Sequence, residues 1–199
     1  MPHPVPVMLK IARLAFGFWL FVEILSWVKI LPLTLEFTWL GLVVTASFAW
    51  GILEIISWRL RRVGARNLWG LTYFAALFSQ CVDAFGDISR FYGKFGWYDQ
   101  FAHFVGGAVV ALVIFDLLLA LQDSGRLNLP AKGRAIIAIC VSMAAGSLYE
   151  LEEYGEDVFF NSNRLGNAFD TGNDMFLNTL GAAVLIWLIY FIRRRRKLL

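Results

Sequence analysis

Charge, cysteine, proline and histidine are all scarce in this 199-residue chain, and each scarcity excludes something. Only 17% of the residues are charged and 59% are hydrophobic, whereas a soluble globular domain is about 25% charged and nearer one half apolar. A soluble globule is therefore excluded. The two cysteines, Cys81 and Cys140, both fall inside apolar runs, so they read as packing residues rather than a disulfide framework. Of the five prolines, three lie in residues 1–7, a stretch that reads as irregular and includes His3. No Gly-x-Ser-x-Gly elbow, P-loop or His-Glu-x-x-His occurs, which removes the usual hydrolase, nucleotide and zinc-protease motifs. Glu-x-x-His pairs of the diiron bundles are missing too, the nearest spacing being Glu150-x-x-Glu153.

What the chain does have is apolar runs of about 20 residues, each able to cross roughly 30 Å of hydrocarbon. They use most of the sequence and leave no room for a separate soluble domain. The prediction is one all-α integral membrane domain covering 1–199, with six transmembrane helices over about 14–31, 38–58, 68–87, 101–121, 135–153 and 174–192. The first run is not a signal peptide, because Glu23 interrupts it and no small-residue cleavage site follows. The stretches 90–98 and 157–169 read as loops. Basic residues set the orientation. Placing the N-terminus, the 59–66 loop, the 122–134 linker and the C-terminus inside collects 14 of the 18 Lys and Arg. Only Lys29, Arg90, Lys94 and Arg164 are left for the other face, so both termini are predicted to be cytoplasmic. The net charge of +3 thus reflects short basic clusters beside spans rather than a nucleic-acid surface.

The acidic residues then gather at the opposite face. Glu150, Glu152, Glu153, Glu156 and Asp157 fall within eight residues at the mouth of the fifth span. Asp83 and Asp87 end the third span, Asp99 and His103 open the fourth, and Asp170 and Asp174 open the sixth. Asp99/His103, Asp83/Asp87 and Asp170/Asp174/Asn178 step by four, and Glu150/Glu153 by three, so each set lies on one helix face. Like charges stacked in this way destabilise a helix unless protons or a cation intervene. Gly106 and Gly107, and Gly181-Ala182-Ala183, permit close helix approach in a membrane.

Three functional readings follow. Asp99, His103, Glu150, Glu153, Asp170 and Asp174 can hold a divalent metal (Mg, Mn, Fe or Zn) that activates water or stabilises charge on a phosphoryl or acyl group. Without a metal, His103, Asp99 and Glu150 can serve as acid–base groups. Acids inside membranes also line ion routes, which makes a cation-coupled transporter the alternative. Against these three stands a purely structural membrane module, with Arg90 and Arg164 neutralising some carboxylates and the rest hydrated at the surface. Glu152, Glu156 and Asp157 read as solvated. Asp87 can pair with Arg90 at i+3, and Glu23, Glu54 and Asp116 have no partner in sequence.

Three segments taken together carry a family resemblance. They are Trp97-Tyr98-Asp99-Gln100-Phe101-Ala102-His103-Phe104, Tyr149-Glu150-Leu151-Glu152-Glu153-Tyr154, and Asp170-Thr171-Gly172-Asn173-Asp174-Met175 followed by Asn178 and Gly181-Ala182. In order and spacing this set resembles the YjdF-type bacterial inner-membrane family, and more distantly VanZ-like proteins. The resemblance implies a multi-pass inner-membrane protein and brings no settled activity. Where VanZ-like members carry Gln after the Glu and an Arg in the next loop, this chain has Glu153 and, further on, Arg164. The expectation is a metal-dependent membrane hydrolase or transferase working on a lipid or lipid-linked headgroup at the outer leaflet. Asn178, with Asp83 and Asp87, would orient the ligands, and no nucleic acid takes part.

Overall fold

The computed structural model describes residues 6–161 and 164–195, so the expectations for His3, Arg196 and Lys197 lie outside it. The described residues form seven α-helices: α1 (Val7–Trp27), α2 (Trp39–Arg62), α3 (Gly70–Ile88), α4 (Phe91–Lys94), α5 (Tyr98–Asp123), α6 (Ala131–Phe160) and α7 (Ala168–Arg195). Four of them, α2, α5, α6 and α7, are long and apolar enough to cross a membrane. α1 and α3 have 21 and 19 residues, but α1 carries Lys10, Arg13 and Glu23, and α3 carries Asp83 and Asp87. Leu14, Phe18, Phe48 and Phe169 lie exposed, while Glu23, Asp87, Asp116, Glu150 and Asp174 are buried. A water-soluble fold distributes these residue types the other way round. In hydrocarbon the inversion is the stable arrangement, because the apolar faces meet lipid and the acids find one another. The chain is a polytopic helical membrane protein.

Several helix ends differ from the sequence expectation for identifiable reasons. α1 starts at Val7 rather than 14, because Arg13 is neutralised inside by Glu54, Nε to Oε1 at 2.6 Å. It stops at Trp27, where Lys29 takes a left-handed conformation and Ile30 N returns to the Leu25 carbonyl. The same 6→1 closure ends α2 at Gly64 and α5 at Gly125, two positive-φ positions that suit glycine. Residues 90–98 are not simply a loop, since they contain the one-turn helix α4. The largest correction concerns 157–169. α6 runs on to Phe160 and ends at left-handed Asn161, and α7 starts at Ala168, six residues before the expected 174. Asn167 explains that early start: its Oδ1 accepts from the Phe169 and Asp170 amides at 2.9 and 3.3 Å, capping the helix.

The chain divides into two compact units, Met1–Tyr98 with Asp116–Asn128, and Asp99–Phe115 with Leu129–Leu199. In the first, α1 buries Leu9, Ala12, Phe16 and Leu20 at helical spacing. Phe16 stacks on Trp50 of α2, and Gly70 of α3 meets the α1 backbone at Met8 and Leu9. Several polar groups of this unit pair with one another, whereas Glu23 Oε2 and Trp50 Nε1 are buried without a hydrogen-bond partner among the described residues. Glu54, expected to lack a partner, takes Arg13 and the Tyr73 hydroxyl. Asp116, fully buried, accepts from Arg66 Nη1, Trp69 N and Thr72 Oγ1 at 2.7, 2.7 and 2.8 Å. It thereby ties the α2–α3 turn to the end of α5. Asp83 accepts from the Tyr92 hydroxyl, and Asp87 Oδ1 from the amides of Glu36 and Phe37.

In the second unit, small residues bring helices together. A Cβ on Gly107 (α5) would strike the Asn178 carbonyl of α7, and one on Gly181 would strike the Phe104 carbonyl. Ser142 of α6 donates to the Gly107 carbonyl at 2.8 Å. The apolar face of α6, with Ile136, Leu148, Leu151 and Val158, is exposed, and its buried face is Ser142, Gly146, Glu150, Glu153 and Glu156.

Candidate functional site

The site is assembled within the second unit by α5, α6 and α7. On α5, the four-residue step between Asp99 and His103 sets Asp99 Oδ1 3.5 Å from His103 Nε2. The other imidazole nitrogen, Nδ1, meets the Asn178 side-chain nitrogen of α7 at 3.1 Å and lies 3.8 Å from Glu150 Oε1 of α6. The Tyr149 ring stands edge-on to His103 at 5.7 Å. His103 is therefore held on every side by polar or aromatic groups and is buried. Asn178 is positioned by glycines. Gly146 leaves space for its amide on α6, and Gly107 allows its backbone against α5.

Two interlocking donor groups share this histidine. Asp99, His103 and Asp174 form one, and His103, Glu150 and Glu153 form the other; within each, the ligating atoms all lie within 4.8 Å of one another. Asp174 is 2% exposed and its Oδ1 has no hydrogen-bond partner among the described residues. Neither oxygen of Glu150 has one at normal geometry, although the Thr171 hydroxyl is close enough to interact with it. Carboxylates removed from water need donors or cations around them, so these orphaned oxygens describe a place that favours positive charge. Asp170, half-buried at the open end of α7, lies outside both donor groups but within electrostatic range of Asp99 and His103. Asp83 and Asp87 belong to the first unit, with the partners described above.

Arg164 brings a guanidinium to the acids of α6. Its side chain is 5% exposed; Nε reaches Glu153 Oε1 at 3.0 Å, and Nη1 lies 3.8 Å from Glu156 Oε2. Nη2 also donates to the Tyr149 hydroxyl, and the guanidinium carbon sits over that ring at 5.6 Å. Asp157 accepts from the backbone amides of Arg164 and Leu165 at 2.6 and 3.0 Å, pinning the turn that delivers the arginine. Glu156 and Asp157 are thus not simply solvated, as the sequence reading had them. α6 continues through them and turns Glu156 inward. Tyr149 escaped that reading. It is half-buried beside the buried stripe Ser142, Gly146, Glu150, Glu153 and Glu156, whose helical spacing continues past the expected end of the span.

Residues 13–195 match a family model described as "Predicted membrane protein (DUF2238)". The chain is 33% identical over 96 residues to the inner membrane protein YjdF of Escherichia coli (strain K12), an alignment covering 43% of this chain and 42% of that protein. It therefore spans less than half the length of that relative. No solved structure matches. These matches bear on the YjdF part of the resemblance and add nothing to the VanZ-like part.

Proposed function

We propose, from the premise that the chain belongs to the DUF2238 family of predicted membrane proteins, that its second unit binds a divalent cation and uses it in a hydrolase or transferase reaction on a lipid or lipid-linked headgroup. The observation that carries this reading is the Asp99–His103–Asp174 group, in which Asp174 Oδ1 is buried without a hydrogen-bond partner among the described residues. Nδ1 of His103 is engaged by Asn178, so Nε2, which faces Asp99, is the nitrogen available to an ion. Asn178 then holds the ring from behind, with its amide oxygen turned to accept once Nδ1 is protonated. Asp99 and Asp174 supply the ion's oxygens, and Glu150 and Glu153, on the Nδ1 side of the ring, form the second donor group; the mix of carboxylates and one imidazole suits Mg²⁺, Mn²⁺, Fe²⁺ or Zn²⁺. Such an ion would supply Lewis acidity toward a phosphoryl or acyl oxygen.

The rest of the chain is read in the same way. In the six-span reading α1 and α3 are membrane helices with internally partnered charges, and the basic clusters keep both termini cytoplasmic in an inner membrane. The acid-rich ends of α5, α6 and α7 then lie near the far surface. Below Glu150 the inner face of α6 narrows to Gly146, Ser142 and Ala138, and the Ser142 hydroxyl is bonded to Gly107 O. That stretch of the buried face carries no further acid, which favours chemistry at one surface over a cation path and so the enzyme reading over the transporter.

Metal analysis of protein purified without added metal tests the site. The expected result is a stoichiometric divalent ion in the wild type, with affinity lowered at least about tenfold in His103→Ala and Asp174→Ala. A wild type free of metal, or variants that keep it, would end the metal reading.

A further inference from the structure

We propose that the end of the second unit opposite the acidic site binds a lipid with two phosphates in its headgroup, held between the start of α6 and the end of α7. This binding uses none of the residues assigned to the cation above.

Lys132, Arg193, Arg194 and Arg195 sit at that end, Lys132 being about 27 Å along α6 from Glu150 at 1.5 Å per residue. The Tyr190 hydroxyl donates to the Ala131 carbonyl, which fixes the last turns of α7 against the first turn of α6 and brings the two sets of cations to one place. Lys132, Arg194 and Arg195 are exposed, and Arg193 is half-buried over the Phe115 ring at 5.7 Å. No acid balances them. The sequence holds no Asp or Glu in 100–115, 129–149 or 175–199, and none of the four cations enters an ion pair among the described residues. In the first unit, by contrast, Arg13 is paired with Glu54, and Arg66 with Asp116 and Asp123. Buried Arg134 adds its charge while Nη1 donates to the Leu129 carbonyl at 2.7 Å. α6 also starts with no acid in its first turn, so its amide end adds to the positive potential.

Next to these cations the surface turns apolar. Trp187 stacks on Phe191 at 5.5 Å, and the Arg195 guanidinium lies 4.4 Å from the centre of the Phe191 ring. Trp187 and Phe191 are exposed, as is Ile136, one turn along α6 from Lys132. Cations bordering an apolar surface match a molecule with phosphate at one end and acyl chains at the other, whereas a free anion leaves the apolar part unused. Guanidinium groups present paired N–H donors that suit phosphate oxygens. The number of phosphates follows from the charge. One phosphodiester carries a single negative charge and leaves most of the four cations unbalanced. A second phosphate in the same headgroup lets Lys132 on α6 and the arginines on α7 be engaged together.

The test uses the purified full chain, delipidated in detergent, with lipid retention read by native mass spectrometry. Tetraoleoyl cardiolipin is compared with dioleoyl phosphatidylglycerol and dioleoyl phosphatidylcholine. Wild type is expected to retain the two-phosphate lipid about tenfold or more above either of the others. Lys132→Gln/Arg194→Gln/Arg195→Gln, at exposed positions, should remove that preference. Lys10→Gln/Arg59→Gln/Arg62→Gln takes the same charge from exposed positions of the first unit and should leave the preference unchanged. Equal retention of cardiolipin and phosphatidylglycerol by wild type, or a loss as large in the first-unit variant as in the second-unit variant, overturns the proposal. Displacement of bound cardiolipin by millimolar pyrophosphate also overturns it, because the site would then be one for a soluble anion.

Discussion

Arg164 is the most informative residue to perturb, because its guanidinium is buried against acids of α6. Replacement by methionine keeps an apolar stem of similar length and removes the charge. Glu153, bonded at 3.0 Å, and Glu156, at 3.8 Å, are then left buried with their main counter-ion gone. Breaking a buried ion pair from one side costs about 3–5 kcal/mol. For a chain of this size each kcal/mol shifts the melting temperature by about 2–4 °C, so a fall of roughly 6–20 °C is expected. Neutralising the partner should recover part of the loss. In a cycle of Arg164→Met, Glu153→Gln and the double variant, the coupling energy should fall at about 0.5–3 kcal/mol. Thermal unfolding in detergent at fixed lipid, with tryptophan fluorescence as the probe, reads all four corners. The site reading adds a second expectation: saturating divalent cation should stabilise Arg164→Met more than wild type, since the ion takes over part of the arginine's work. A single variant within about 1 kcal/mol of wild type, or an additive cycle, would refute the claim that this arginine neutralises a buried acidic site.

Other expectations are simpler. Gly107→Ala and Gly181→Ala each press a methyl against a backbone carbonyl of the neighbouring helix, so each should cost about 1–3 kcal/mol in the same melts. Gly172→Ala, a helical position with nothing within 4 Å of the new methyl, should be neutral or stabilising by up to about 1 kcal/mol. Asp116→Ala strips three donors of a fully buried acceptor and should cost about 3–5 kcal/mol; a matching loss of metal content would contradict the separation of its network from the site. Asn178→Ala should weaken metal binding about 10- to 100-fold, measured by competition with a metallochromic chelator, because the imidazole loses the group that orients it.

Much of the site was legible because helical spacing is a local property. Asp99 and His103 four apart, or Asp170, Asp174 and Asn178 in steps of four, share a face wherever the helix goes, and the structure turns His103, Asp174 and Asn178 inward together. The misreadings have a common physical origin. Glu54 and Asp116 looked partnerless because Arg13 and Arg66 are 41 and 50 residues away in sequence. Glu156 looked solvated because a run of acids resembles a loop, and Arg164, eight residues further on, is one of the groups that approach it once it is buried.

Composition and periodicity alone therefore determined that this chain is a membrane protein of packed helices with its acids on a few faces. Scarce charge and apolar runs leave no other way to satisfy the backbone in lipid. What only the folded molecule decided is which faces meet. Gly107, Gly146 and Gly181 set how closely α5, α6 and α7 approach, and that closeness sets which partner each nitrogen of His103 meets and which carboxylate Arg164 takes. Those outcomes depend on contacts between residues far apart in the chain, where spacing along one helix carries no information.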